Sequence, residues 1–118
     1  MICIRGATTI QNDKEEEIIA STKELLQEII KANKLDINQI TAIIFTCTND
    51  ITSTYPAKAA RELGIVNSAL MCVQEMHVEN SLMMCIRICI FYNNDDLAEK
   101  IQHTFLRKAI ILRPDLNK

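Results

Sequence analysis

Apolar positions along this chain fall into blocks whose spacing changes from that of a strand to that of a helix and back. The stretch Met1 to Arg5 is short, apolar and partly β-branched, and Gly6 breaks it, so a first strand is expected to end at or near Arg5. Asp13 with Glu16, or Asn12 with Glu15, offers a capping pair ahead of the acidic run Glu15-Glu16-Glu17, which suits the positive end of a helix dipole. Ile18, Thr22, Leu25, Leu26, Ile29 and Ile30 then recur at helical spacing, with Lys23, Glu24, Gln27, Glu28 and Lys31 on the other face. A helix covering a core on one side only is expected to run to about Asn33.

Asp36 and Gln39 form a second capping pair for a short turn, and Thr41 to Thr48 reads as a nearly continuous buried strand, which places it mid-sheet. Asn49 to Thr54 is polar and loop-like. Tyr55 to Gly64 has Pro56 near its beginning and Gly at its end, as a short helix should. Ser68 to Cys72 predicts a third strand, and Leu82 to Tyr92 the longest one, interrupted by Arg87. Asn93-Asn94-Asp95-Asp96 is a turn able to cap Leu97 to His103, and a last strand is expected over Lys108 to Leu112, limited by Pro114. The sum is an α+β or α/β domain with a mixed sheet and one long helix on one face. The uncovered face calls for a partner, since an exposed apolar sheet face of several hundred Å² is unusual in a soluble monomer.

Length adds that this is one domain, 1–118, because a fold of this size buries roughly two-thirds of its unfolded surface around a single core. A hydrophobic share of 48% with 24% charged residues belongs to a globular chain rather than a disordered one. A net charge of -2 gives no reason to expect nucleic acid. Arg5 interrupts the start where a signal peptide needs a longer apolar segment, and no apolar run approaches the roughly 20 residues of a membrane span, so a cytoplasmic location without membrane contact is expected. The five cysteines, Cys3, Cys47, Cys72, Cys85 and Cys89, form no CxxC pair and are expected as free thiols. Cys85 and Cys89 share a strand face but lie about 13 Å apart, too far to share a metal unaided. No metal is expected.

Strand alternation puts Ile86, Ile88 and Ile90 on one face and Cys85, Arg87 and Cys89 on the other. A guanidinium among such neighbours must pair with an acid, reach solvent, or await an anionic ligand, because an unpaired buried charge costs several kcal/mol. Arg5, with Cys3 on its face, repeats the pattern. Two arginines can grip carboxylates through paired hydrogen bonds, which suits a small dicarboxylate. Glu75, just after the third strand, is either their ion-pair partner or a ligand for a substrate hydroxyl. Cys72 and His77 lie near in sequence, but no orienting third group marks them as a nucleophile and base.

Ile4-Arg5-Gly6-Ala7-Thr8-Thr9, Tyr55-Pro56-Ala57-Lys58-Ala59-Ala60-Arg61-Glu62-Leu63, Cys72-Val73-Gln74-Glu75-Met76, Cys85-Ile86-Arg87 and Leu112-Arg113-Pro114-Asp115-Leu116 occur in that order. Together they resemble the trimeric barrel-type chorismate mutases over almost the whole chain. The resemblance implies an α+β fold assembling as a homotrimeric pseudo-α/β-barrel, with active sites in clefts between subunits. It implies rearrangement of chorismate to prephenate in aromatic amino-acid biosynthesis, with no cofactor. Carried over by position, Arg87 would donate to the ether oxygen and a carboxylate, Arg5 would bind a carboxylate, and Glu75 with the Cys72 region would hold the ring hydroxyl. Tyr55, Ala57, Lys58, Arg61, Leu112 and Arg113 would line or gate the cleft. Phe105 stands where the family usually has a tyrosine, which implies a lost hydrogen bond to a substrate carboxylate. Met71 replaces a smaller polar residue, and the loop near Gly64 to Asn67 is one residue shorter.

Two other readings use the same arginines: a non-catalytic trimeric binding protein for an anionic metabolite, and an imine deaminase-like trimeric enzyme acting on another small acid. Turnover of chorismate separates them.

Overall fold

A computed structural model describes residues 1–113 and 115. Five strands, β1 (Ile2–Thr9), β2 (Ile40–Cys47), β3 (Ala69–Gln74), β4 (Cys85–Tyr92) and β5 (Thr104–Phe105), form one sheet in the order β3-β2-β4-β1-β5. The β4 strand runs antiparallel to both β1 and β2, while β3 and β5 lie parallel to their neighbours, so the sheet is mixed. The helices α1 (Glu15–Asn33) and α2 (Ala57–Glu62) cover the same face. Ile18, Leu25, Leu26 and Ile29 of α1 are fully buried; Leu25, Leu26 and Ile29 pack with Ile4, Ile43, Phe45, Ile88 and Ile90 of the sheet, and Ala57 and Ala60 of α2 join that core. Burial of each such aliphatic side chain contributes about 1.5 to 3 kcal/mol, which makes this face the main source of stability. Among the described residues no helix is long and apolar enough to cross a membrane.

Several sequence expectations shift by a physical cause. The first strand does not stop at Arg5 but continues through Gly6 to Thr9. A Cβ on Gly6 would sit 2.6 Å from Cδ1 of Ile29 and 2.9 Å from the Thr104 carbonyl oxygen. The glycine is therefore a point of close approach for α1 and β5, not a breaker. The helix begins at Glu15, as expected, but neither Asp13 nor Asn12 caps it. Asp13 instead accepts bonds from the Thr52 N–H and hydroxyl and the Ser53 N–H, which keeps its carboxyl below the ordinary range and ties the loop before α2 to the start of α1. Glu17 reaches back to the N–H groups of Gln11 at 2.5 Å and Asn12 at 3.1 Å.

Asp36 does cap a single 3-10 turn over Ile37–Gln39, accepting from the Asn38 N–H at 2.9 Å. The β2 strand has neighbours on both sides, yet its burial alternates: Ile43 and Phe45 are enclosed, Ile44 and Thr46 only half so. Asn94 caps only the turn Asp95–Leu97, and no helix follows to His103. There Asn33 at the end of α1 exchanges two hydrogen bonds with the backbone of Gln102, at 2.8 and 2.9 Å, and holds the chain irregular. The expected strand over Lys108 to Leu112 is a 3-10 segment, Arg107–Leu112, and the last strand is the two-residue β5 just before it. The turn out of β5 is made at Arg107, whose φ is 53° and whose guanidinium is held by Glu24 at 2.7 Å and the Thr8 hydroxyl at 2.9 Å. Pro114 lies outside the described residues.

Among the described residues no α-helix lies on the second sheet face. Cys3, Arg5, Ile44, Met71, Val73, Arg87 and Cys89 point to it, with Met71 60% and Val73 40% exposed. Among the described residues its β1–β4 end is the covered part, where Phe105 and Ala109 are buried with Ala7 and Cys85 and Leu112 packs beside them. That partial cover makes a hollow on an otherwise open face.

Candidate active site

Arg87 pairs across the sheet with Ala7 of β1 on one side and Thr46 of β2 on the other, while Arg5 pairs with Cys89, two residues along β4. Period-two alternation therefore brings both arginines to the open face, one register step apart. Glu75 arrives from β3: its N–H donates to the Cys47 carbonyl oxygen at 2.8 Å, one residue past the last β2–β3 pair. Its carboxylate Oε1 accepts the Thr46 hydroxyl at 2.6 Å and lies 3.5 Å from Arg87 Nε. Arg5, Glu75, Arg87, Phe105, Leu112 and Arg113 all line one cavity of about 310 Å³, floored by Gly6, Ile44, Thr46, Ile88 and Cys89.

The three fates open to Arg87 are thus partly combined: it meets Glu75 and also reaches solvent, its side chain being 46% exposed. An ion pair whose nearest approach is 3.5 Å, between partly exposed partners, is worth well under about 1 kcal/mol. A carboxylate ligand offering two short bonds to the guanidinium would displace it. Arg113 differs, since Asp115 holds it through two bonds of 3.1 and 3.0 Å. Arg5, Arg87 and Glu75 together leave one net positive charge in the cavity for an anion.

Tyr55 and Cys72 face a different hollow, of about 490 Å³, between the loop that follows β2 and the end of β3. The Ala57 N–H and the Arg61 charge act on the Cys72 thiol against the effect of its burial. Lys58 is engaged by Glu15 at 2.6 Å, which raises its pKa. Tyr55, at 70% exposure, is unsheltered. Of the eleven residues picked out in the sequence, six line the first cavity and two, Tyr55 and Cys72, the second, while Ala57, Lys58 and Arg61 line neither.

Burial pushes the Cys72 and Cys85 thiols up, and that of Cys47 up to about 12, so none of these three is poised as a thiolate nucleophile. Among the described residues no three of His, Cys, Asp and Glu gather as metal ligands would. Two neighbours of the site escaped the sequence reading. Thr46 touches Glu75, and His103 accepts the Arg5 N–H through Nδ1 at 3.0 Å. Burial, followed by the charges of Arg5 and Arg113, holds the His103 pKa below its ordinary value, which keeps Nδ1 an acceptor near neutral pH. The position of Thr46 follows from alternation along β2 once its register with β4 is known; nothing local in the sequence marks His103.

Known proteins bear on this geometry. The family model described as chorismate mutase type I matches residues 1–116. Chorismate mutase AroH of Thermus thermophilus is 40% identical over 114 residues, 96% of this chain and 93% of the relative. Chorismate mutase AroH of Bacillus subtilis (strain 168) is 41% identical over 115 residues, covering 97% and 91%. A solved chorismate mutase from Clostridium thermocellum superposes with a TM-score of 0.91 at 40% identity, covering 94% of this chain and 99% of that one. With its α+β architecture and a cavity of two arginines and a glutamate on the open sheet face, the chain belongs to the chorismate mutase type I family.

Proposed function

We propose that this chorismate mutase rearranges chorismate to prephenate in the cavity of Arg5, Glu75 and Arg87, and that neighbouring subunits of a homotrimer complete each site with Tyr55, Ala57, Lys58, Arg61 and Cys72. The observation that carries the reading is the placement of Arg5, Glu75 and Arg87 in one hollow of about 310 Å³ on the open sheet face. The reaction breaks a C–O bond as a C–C bond forms within one molecule, so neither a nucleophile nor a proton shuttle is required. The protein has to select a conformer and stabilise charge.

Arg5 and Arg87 as carboxylate anchors hold the enolpyruvyl chain over the ring, which removes unproductive conformers. As the bond breaks, the ether oxygen gains negative charge and the ring positive charge. A guanidinium at the oxygen and Glu75 toward the ring favour that distribution over the ground state. The weak hold of Glu75 on Arg87 supports this, because a tightly paired arginine would have little left to donate. Tyr55, just before α2, and Cys72, on the edge strand β3, support the shared site: the resemblance has them line the cleft or hold the ring hydroxyl, yet they open on another hollow of their own chain.

The test is loss of the ultraviolet absorbance of chorismate on incubation with purified protein. Arg87→Ala is expected to lower kcat/KM by about 10²-fold or more, as loss of an oxyanion-type donor does. A folded Arg87→Ala protein with wild-type turnover would remove Arg87 from the reaction.

A further inference from the structure

We propose that Thr46 is a positioning residue for the rearrangement, its hydroxyl holding the Glu75 carboxylate so that Glu75 and Arg87 both stay available to substrate. This rests on the roles given above to Glu75 and Arg87. Thr46 stands directly across β2–β4 from Arg87 and across β2–β3 from Val73, two residues before Glu75. Glu75 is thereby tied to β2 twice, by its N–H to the Cys47 carbonyl at 2.8 Å and by Oε1 to the Thr46 hydroxyl at 2.6 Å. Only the second tie depends on which side chain occupies position 46.

Without it, the nearest cation decides where the carboxylate goes. Arginine and carboxylate favour a forked pair with two parallel hydrogen bonds, which would use both oxygens of Glu75 and two N–H groups of Arg87. Those are the groups that a ring hydroxyl and an ether oxygen need. With Thr46 in place the nearest approach of the pair is 3.5 Å, between Arg87 Nε and Glu75 Oε1, and the short bond of Oε1 is the one from the Thr46 hydroxyl. A short hydrogen bond to a charged group outweighs a 3.5 Å ion pair between partly exposed partners, so the hydroxyl sets the orientation.

The experiment compares Thr46→Val, which keeps the shape and loses the hydroxyl, with Thr46→Ser, which keeps the hydroxyl, each alone and combined with Glu75→Ala, by kcat/KM for chorismate. Thr46→Val is expected to lose about tenfold, the effect of one hydrogen bond to a charged group. Thr46→Ser should stay within about twofold of wild type, and Thr46→Val should add nothing once Glu75 is gone. Thr46→Ala replaces Thr46→Val in every comparison should the valine protein fail to fold. Wild-type kcat/KM without the hydroxyl, or the same fractional loss in the Glu75→Ala background, would overturn the proposal while leaving Glu75 in its role. Wild-type kcat/KM for Glu75→Ala alone would instead overturn the underlying reading.

Discussion

Phe105 offers a test of how one atom tunes the proposed site. Phe105 is 6% exposed and lines the cavity beside Arg113 and Leu112, at a position where the family resemblance implies a tyrosine. Adding the hydroxyl there should supply one more donor for a substrate carboxylate. Phe105→Tyr is predicted to tighten binding by about 0.5 to 1.5 kcal/mol, the net value of an ordinary hydrogen bond. Steady-state kinetics with chorismate would show it as a lower KM, and an unchanged KM would mean that the hydroxyl does not reach the ligand. Arg87 illustrates the complementary point that an arginine is more than its charge. Arg87→Lys should be nearly as poor as Arg87→Ala in the same assay, because the two-bond fork is lost although the charge stays.

Among the elements, β1 carries the most demands. One of its faces presents Arg5 to the cavity, the other packs Ile4 into the core, and Gly6 lets α1 and β5 approach its backbone. The added methyl of Gly6→Ala would meet the Thr104 carbonyl at 2.9 Å, and backbone cannot turn aside as the tip of Ile29 can. Overpacking of this kind is predicted to cost about 1 to 3 kcal/mol, measurable by urea denaturation, and a variant as stable as wild type would show that β5 yields freely. The irregular C-terminal elements follow the same logic of local anchoring. Asn33 fixes Gln102, Glu24 and Thr8 fix Arg107, and a run of apolar residues that looks like a strand becomes a 3-10 segment with Ile110 and Ile111 outside.

For the molecule as a whole, the open sheet face and the opening of Tyr55 and Cys72 on a hollow apart from Arg5, Glu75 and Arg87 point in one direction. A shared cleft predicts complementation between variants that are inactive alone. If Arg87→Ala and Arg61→Ala chains are refolded together in equal amounts, about a quarter of the clefts in a closed ring of three would receive both intact halves. Activity regained to about that fraction, with a trimer by light scattering, is the expected result. No recovery on mixing would place each site within a single chain.

Local pattern by itself determined much of this protein. Helical periodicity from Ile18 to Ile30 located α1 and its buried face, and alternation around Arg87 placed the guanidinium opposite Ile86 and Ile88, because both depend only on the geometry of one element. Motif words in order were enough to suggest the family. Tertiary structure decided what depends on contacts between distant segments: that Gly6 continues a strand, that Asp13 clamps Thr52 instead of capping α1, that Lys108 to Leu112 is no strand, and that Thr46 lies between Arg87 and Glu75. In each case the competing local conformations are close in energy, and a partner many residues away tips the balance.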